Sequence, residues 1–273
     1  MWRVIDVHTH LHPPRLFAAI RRWFAERSPW DLSGQPTDPH EVARAIREHG
    51  VERFAFCSYA HKPGMASDLN AWLSDTARAL GAGAIPLATV HLDDRDPAGE
   101  MRAAMKANFA GLKVHEDVQG FALDDPRMAP VLEAVAAGDG FVLVHVGHIP
   151  WSDDTNDGPG RVMRVLEAHP ALRVVVAHFG KPDQRRYLEL ARHEPRLFLD
   201  TTMAFACESP MYVAPSRADV ERAPDQIVLG TDWPNMPYAY DGELRGLRAL
   251  GLDDAVFRKI VAENARRLAP AFA

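Results

Sequence analysis

The chain has 273 residues, 47% of them apolar, which is enough to bury a full core and argues against disorder. Its 31 Lys and Arg stand against 37 Asp and Glu, and the formal charge of −6 gives no general attraction to nucleic acid or anionic membranes. Two cysteines, Cys57 and Cys207, lie far apart without metal-type spacing, so the expectation is a reducing cytoplasm rather than a disulfide framework. The start shows no leader-type segment, and no apolar run is long enough to span a bilayer.

In chain order, Val4 to Val7 reads as a strand that runs into His8-Thr9-His10. Side chains two apart on a strand point the same way, so both imidazoles can reach one metal ion. Asp38-Pro39 opens a helix toward His49, with Gly50 as its stop, and Arg53 to Cys57 is the second strand. Ser67 or Asp68 opens a helix to Leu80, before Gly81 and a third strand at Ile85 to Val90. Asp96-Pro97 opens the next helix, to Ala107, and the fourth strand, Gly111 to Val114, carries Lys113. Asp124 or Asp125 before Pro126 starts a helix to Ala137, which Gly138 ends. The remaining strands are Phe141 to His145, Arg173 to Ala177 ahead of His178, Leu197 to Asp200, and Gln226 to Gly230 ahead of Asp232.

Eight strands separated by helices predict a single (β/α)8 barrel over residues 1–273, with no linker or repeat to divide it. Strand C-termini of such a barrel open on one face, where side chains from different strands converge. His8, His10, Lys113, His145, His178 and Asp232 all fall at those ends. Alternation places Val4, Asp6, His8 and His10 on one face of the first strand, and Lys113 and His115 together on the fourth. It also puts Phe141 and Leu143 below His145, and Val174 and Val176 below His178.

The ordered motifs are Asp6-x-His8-x-His10, Gly111-x-Lys113-x-His115, His145-x-Gly147, His178-x-Gly180, Thr231-Asp232-Trp233-Pro234 and Glu263-Asn264-Ala265-x-Arg267-Leu268. With them the chain resembles the amidohydrolase superfamily, in the amidohydrolase-related branch that also contains aminocarboxymuconate-semialdehyde decarboxylase. Two departures bear on the pocket: Glu116 stands where many relatives have Pro, and Phe179-Gly180-Lys181 replaces a common double-Gly arrangement. The resemblance implies His8, His10, His145 and Asp232 as ligands of one divalent ion, with zinc favoured by the mixed imidazole and carboxylate set. It implies that His178 contacts metal-bound water or substrate in mononuclear relatives and is a ligand in binuclear ones. Lys113 is either an uncarboxylated, substrate-orienting amine, the favoured reading, or a carboxylated bridge between two metals.

The favoured expectation is hydrolysis of a small ester, lactone or amide by zinc-activated water, with Asp232 as proton shuttle and His178 or Lys113 stabilising the oxyanion. The alternative is metal-dependent nonoxidative decarboxylation of a small unsaturated or aromatic carboxylic acid, assisted by His178. A nuclease of the TatD kind is disfavoured by Lys113, where that group has Glu, and by the net acidity. A binding barrel without catalysis is disfavoured by the presence of Asp232. The expected partner is a small molecule with a carboxylate handle, for which Lys62 and Lys181 are anion-binding candidates; a homodimer is allowed.

Among other residues, Asp6 is either an orienting carboxylate behind a ligand or a structural hydrogen-bonding group. His115 is expected to face the cavity, His12 to be a loop histidine, and His91 to belong either to pocket or to structure. His40, His49, His169 and His193 are surface readings, Cys57 a buried strand residue and Cys207 a loop thiol. Trp151, Phe179, Met203, Trp233, Met236 and Tyr238 are candidates for an apolar wall or for plain core.

Overall fold

A computed structural model describes residues 3–28, 30–146, 157–209 and 215–273; Gly147 and Trp151 lie outside them. The strands are β1 (Val4–His10), β2 (Val51–Cys57), β3 (Ala84–Pro86), β4 (Gly111–His115), β5 (Phe141–His145), β6 (Arg173–Val176), β7 (Leu197–Asp200) and β8 (Ile227–Val228). They form two parallel ladders, β1-β2-β3 and β4-β5-β6-β7-β8. Backbone bonds close both seams. Lys113 N donates to Ala88 O at 2.9 Å on one side, and Val7 N to Leu229 O and His10 N to Trp233 O, each at 2.9 Å, on the other. The expected (β/α)8 barrel is therefore the observed architecture.

The helices form where the sequence supplies starts and stops. Asp38 caps α2 (Pro39–Glu48) by accepting from the His40 and Glu41 amides, and Asp96 caps α4 (Pro97–Lys106) through Gly99 N. α3 (Ala66–Leu80) ends at Gly81, whose φ of 76° suits glycine. Between α2 and the first strand's end lies α1 (Pro14–Arg27), which has no side-chain cap and no counterpart among the predicted elements.

Two apolar layers sort the strand residues. Val4, Phe54, Phe56, Leu112, Val114, Val142, Val144, Val174 and Val176 pack with helix residues such as Ile46, Leu73 and Val131. Ile5, Val7, Ala55, Leu143, Val175, Ala177 and Val228 fill the barrel interior, with Leu268 and Phe272 of the C-terminal segment. This sorting corrects two expectations about faces. In β1 the pairing runs Asp6 to Phe54 and then Thr9 to Phe56, so three steps on β1 oppose two on β2. That one-residue bulge shifts the phase, sending Asp6 with the helix-facing set while His8 and His10 reach the interior. In β6, Val174 and Val176 face the helices, so alternation alone would not carry His178 inward. The strand ends at Val176, and left-handed φ angles of 57° at His178 and 54° at Phe179 turn the imidazole into the site.

Candidate active site

His8 and His10 are buried, and their Nε2 atoms stand 3.2 Å apart. Asp232 Oδ1 lies 3.3 Å from His8 Nε2 and 2.6 Å from His10 Nε2. Two donors about 2.0–2.1 Å from a tetrahedral ion sit roughly 3.3 Å apart, so these three atoms have the spacing of a shared metal ligand set. Asp232 itself holds a φ of 56°, a strained turn that aims its carboxylate at the pair. Burial opposes its charge, but His8 and His10 outweigh burial and hold it well below the usual carboxylate range.

His8 is fixed from behind. His8 Nδ1 meets Asp200 Oδ2 at 2.7 Å, with both groups fully buried. With the proton on Nδ1, His8 donates to Asp200 and leaves Nε2 as a lone pair for a metal, the arrangement that ligating histidines need. Asp200 is anchored in turn, because its Oδ1 accepts His178 N at 2.8 Å and Thr202 N at 3.1 Å, and also the Thr202 hydroxyl. Gly230 permits this approach: a Cβ there would lie 3.0 Å from both the His8 and the Asp200 Cβ atoms. Asp6 is not the orienting group. It accepts His8 N at 3.0 Å, the Thr231 hydroxyl at 2.7 Å and the Tyr240 hydroxyl at 2.9 Å, and burial pushes it up to about 7. Cys57 sits in the same knot, its Sγ donating to Thr9 O at 3.4 Å; burial pushes the thiol up to about 12, which disfavours it as a thiolate ligand.

Lys113 Nζ lies 3.2 Å from His8 Nε2, and the side chain is 1% exposed. The β4–β5 register pairs His115 with His145, and their rings stack with centroids 4.0 Å apart. His145 Nδ1 stands 2.9 Å from His178 Nε2. The structure therefore brings His8, His10, Asp232 and Lys113 into one cluster and places His145 and His178 beside it as a bonded pair. The buried Nδ1 atoms of His115 and His178 have no hydrogen-bond partner among the described residues.

His10, Lys113, His115, His145, His178 and Asp232 line a cavity of about 490 Å³. One wall is α1, through Leu16, Ile20, Trp23 and Phe24; Trp30, Met203 and Met236 continue it. Of the expected wall residues, Met203 and Met236 line the cavity, whereas Phe179 packs edge-on to Phe205 and Trp233 edge-on to Tyr240 in the interior. Lys181 lines the cavity, with Nζ donating to Met203 O at 2.8 Å, and burial draws it down to about 8. Lys62 is exposed and off the cavity, so it is not the anion contact. His12 lies in the loop after β1, as expected, with its ring buried there, and His91 packs edge-on to Phe121 away from the cavity. Glu116 does not shape the pocket: it accepts Leu123 N at 2.6 Å and pairs with Arg161 at 2.5 Å.

The sequence model of the amidohydrolase family matches residues 5–270. The chain belongs to the amidohydrolase family. A search of curated proteins finds no match. Among solved structures, this amidohydrolase is similar to 2,6-dihydroxybenzoate decarboxylase from Rhizobium, at 18% identity and a TM-score of 0.72 over 98% of each chain. It is similar to 5-carboxyvanillate decarboxylase from Novosphingobium aromaticivorans DSM 12444, complexed with manganese and 4-hydroxy-3-methoxy-5-nitrobenzoic acid. That likeness has 16% identity and a TM-score of 0.71 over 98% of this chain and 96% of the other. A third is dihydroxybenzoic acid decarboxylase from Polaromonas sp. JS666, with bound manganese and 2-nitroresorcinol, at 17% identity and a TM-score of 0.72 over 98% and 97%.

The leading expectation from sequence, ester, lactone or amide hydrolysis with Asp232 as proton shuttle, is corrected by these likenesses. The named structural neighbours are decarboxylases of aromatic acids, and the ion that two of them hold is manganese. The physical reason for the error is that one ligand set serves either reaction, so the motifs carried no information on which bond breaks. No described helix is long and apolar enough to cross a membrane.

Proposed function

We propose that this amidohydrolase is a divalent-metal-dependent nonoxidative decarboxylase of a small aromatic or unsaturated carboxylic acid, with residues 1–273 acting as one domain. The observation that carries the reading is the junction of a metal-type donor cluster, His8, His10 and Asp232, with a cavity walled by Trp23, Phe24, Trp30, Met203 and Met236. Such a wall suits a flat apolar ring, while the donors suit an acid. The aromatic acids named with the neighbouring structures support the same substrate class.

In this reading His8, His10 and Asp232 hold one ion, and His145 completes the set through Nε2, its Nδ1 being engaged by His178. Manganese or zinc fits mixed imidazole and carboxylate donors, and the bound ion supplies positive charge that neutralises the acid's oxygens. Lys113, uncarboxylated, sits beside His8 and helps position the acid. The aromatic wall holds the ring and excludes water. His178 delivers its Nδ1 proton to the ring carbon that bears the carboxylate while its Nε2 takes the proton that His145 Nδ1 donates across their 2.9 Å contact, so no anionic imidazole is left on His178. The bond from that carbon to the carboxylate then breaks, its electron pair returns to the ring, and carbon dioxide leaves; one proton is consumed per carbon dioxide. Solvent then returns one proton to the His145–His178 pair.

The test is release of labelled carbon dioxide from carboxyl-labelled hydroxybenzoic acids by protein loaded with manganese or zinc, alongside a panel of esters and lactones. Metal-dependent release, lost on chelation and restored by metal, supports the reading. Turnover of an ester or lactone with no carbon dioxide from any acid overturns it.

A further inference from the structure

The metal donors, the His145–His178 pair and the apolar wall leave one hydroxyl of the cavity without a role. Tyr59 follows the end of β2 and lines the same cavity as the donor cluster. Its ring stands edge-on to His10, with centroids 5.8 Å apart, and to His115 at 5.5 Å, and it meets His12 at 6.1 Å. Those contacts hold the ring beside the metal donors without using its oxygen. A tyrosine hydroxyl in such surroundings usually finds a partner, as Tyr238 finds Glu243 and Tyr240 finds Asp6. No described residue hydrogen-bonds the Tyr59 hydroxyl, and the oxygen is not sealed in the core as the unpaired Tyr187 hydroxyl is. Tyr59 is half-buried, and the part left open faces the cavity that it lines.

The chemistry of the phenol and its place define what it receives. A tyrosine keeps its proton at neutral pH, and burial and the charge of Asp232 both push Tyr59 further up, so it presents a donor to the cavity. An ionised acceptor takes such a donor more strongly than a neutral one. The wall from α1 suits the ring of an acid and the donor cluster suits its carboxylate, and Tyr59 stands with the donor cluster. The effect of the bond on the reaction also follows. The carboxylate gives up its charge as carbon dioxide leaves, so a donor on it holds the bound acid more firmly than the transition state and tightens binding without speeding the step.

We propose that the Tyr59 hydroxyl donates to the carboxylate of the bound acid and so sets its affinity and orientation. The inference rests on the reading of the cavity as an aromatic-acid site, and it adds a residue that neither metal binding nor proton transfer requires. Tyr59 binds substrate; it does not supply the proton that replaces carbon dioxide.

The experiment uses Tyr59→Phe, which removes one oxygen and keeps the ring, with benzoate as a probe that offers a carboxylate and no other polar group. Because the hydroxyl bonds nothing in the protein, the variant keeps its denaturation midpoint and its manganese content. Calorimetry then shows benzoate bound about 10–100-fold more weakly by the manganese-loaded variant than by wild type. Affinity within twofold of wild type, or no binding of benzoate by wild type, overturns the proposal. So does a variant that loses stability or manganese, since that result shows the hydroxyl to be engaged within the protein. Carbon dioxide release is followed separately. For any acid turned over, KM rises in step with the benzoate Kd and kcat is not lowered, whereas a fall in kcat at unchanged KM also overturns the proposal. Absence of release from every acid tells against decarboxylation, while benzoate binding still reports on Tyr59.

Discussion

Replacing Asp200 with Asn isolates the part of the metal site that no sequence motif marks. The substitution keeps the shape of the side chain and an Oδ1 that can still accept His178 N and Thr202 N, which stand 2.8 and 3.1 Å from it, so the turn after β6 stays in place. What is lost is the anionic acceptor 2.7 Å from His8 Nδ1. A hydrogen bond to a charged group contributes about 1.5–3 kcal/mol. Loss of an outer partner of a ligating histidine lowers metal affinity about 10–100-fold, or about 1.4–2.7 kcal/mol, so the two scales agree. The amide also removes the bias that keeps the ring proton on Nδ1, and the other tautomer points a proton at the ion. Competition titration of manganese against a chelator therefore shows affinity reduced about 10–100-fold in Asp200→Asn. The companion Asp6→Asn changes affinity little, because Asp6 bonds Thr231, Tyr240 and the His8 backbone rather than the His8 ring. Affinity of Asp200→Asn within twofold of wild type, with Asp6→Asn the weaker binder, refutes this assignment.

Three further outcomes follow from the same geometry. Gly230→Ala places a methyl group 3.0 Å from the His8 and Asp200 Cβ atoms, so it lowers stability by about 1–3 kcal/mol and loosens the metal; unchanged denaturation midpoint and metal affinity contradict it. Glu243 accepts Met203 N, Phe205 N, Ala206 N and the Tyr238 hydroxyl, and burial pushes it up from 4.5 to about 7. The native state then holds a proton that the unfolded chain has released, so its contribution to stability is present below pH 4.5 and declines as pH rises toward 7. Urea titrations accordingly show the advantage of wild type over Glu243→Gln shrinking across that window, and an advantage that grows reverses the sign of the argument. Elemental analysis gives one metal per chain and carbon-13 spectra in labelled bicarbonate show no carbamate on Lys113; two metals with a carbamate signal indicate a bridged pair instead.

Much of the barrel is legible in the sequence because its strands are short apolar runs between capped helices. Asp38 and Asp96 cap in the structure as their positions before proline suggest. The six site residues named from sequence all fall at one end of the barrel, but simple alternation misassigns two faces. The bulge after Asp6 and the left-handed turn at His178 break the period of two, and neither is visible in residue type alone. Asp200 was placed as the end of a strand without a role, although an acidic residue closing an apolar run was the available signal. Pro13-Pro14 mark the loop that holds His12, as the sequence suggests, but residue type does not show that its ring is buried there. The apolar wall of α1 was missed because that helix begins without a capping side chain. The reaction was the least legible part, because the carboxylate and imidazoles that position a water also position an acid.

The claim that bears the most weight is that a carbon–carbon bond to a carboxylate is broken and replaced by a carbon–hydrogen bond. Incubation of the manganese-loaded protein with hydroxybenzoic acids in deuterium oxide, read by proton and carbon-13 spectra of the product ring, tests it directly. The account predicts one deuterium at the carbon that carried the carboxylate for each carbon dioxide released, with His178→Asn slowing this exchange by about 10²–10⁴-fold while metal stays bound. Recovery of every acid unchanged and undeuterated, while an ester or lactone is cleaved by the same preparation, contradicts it.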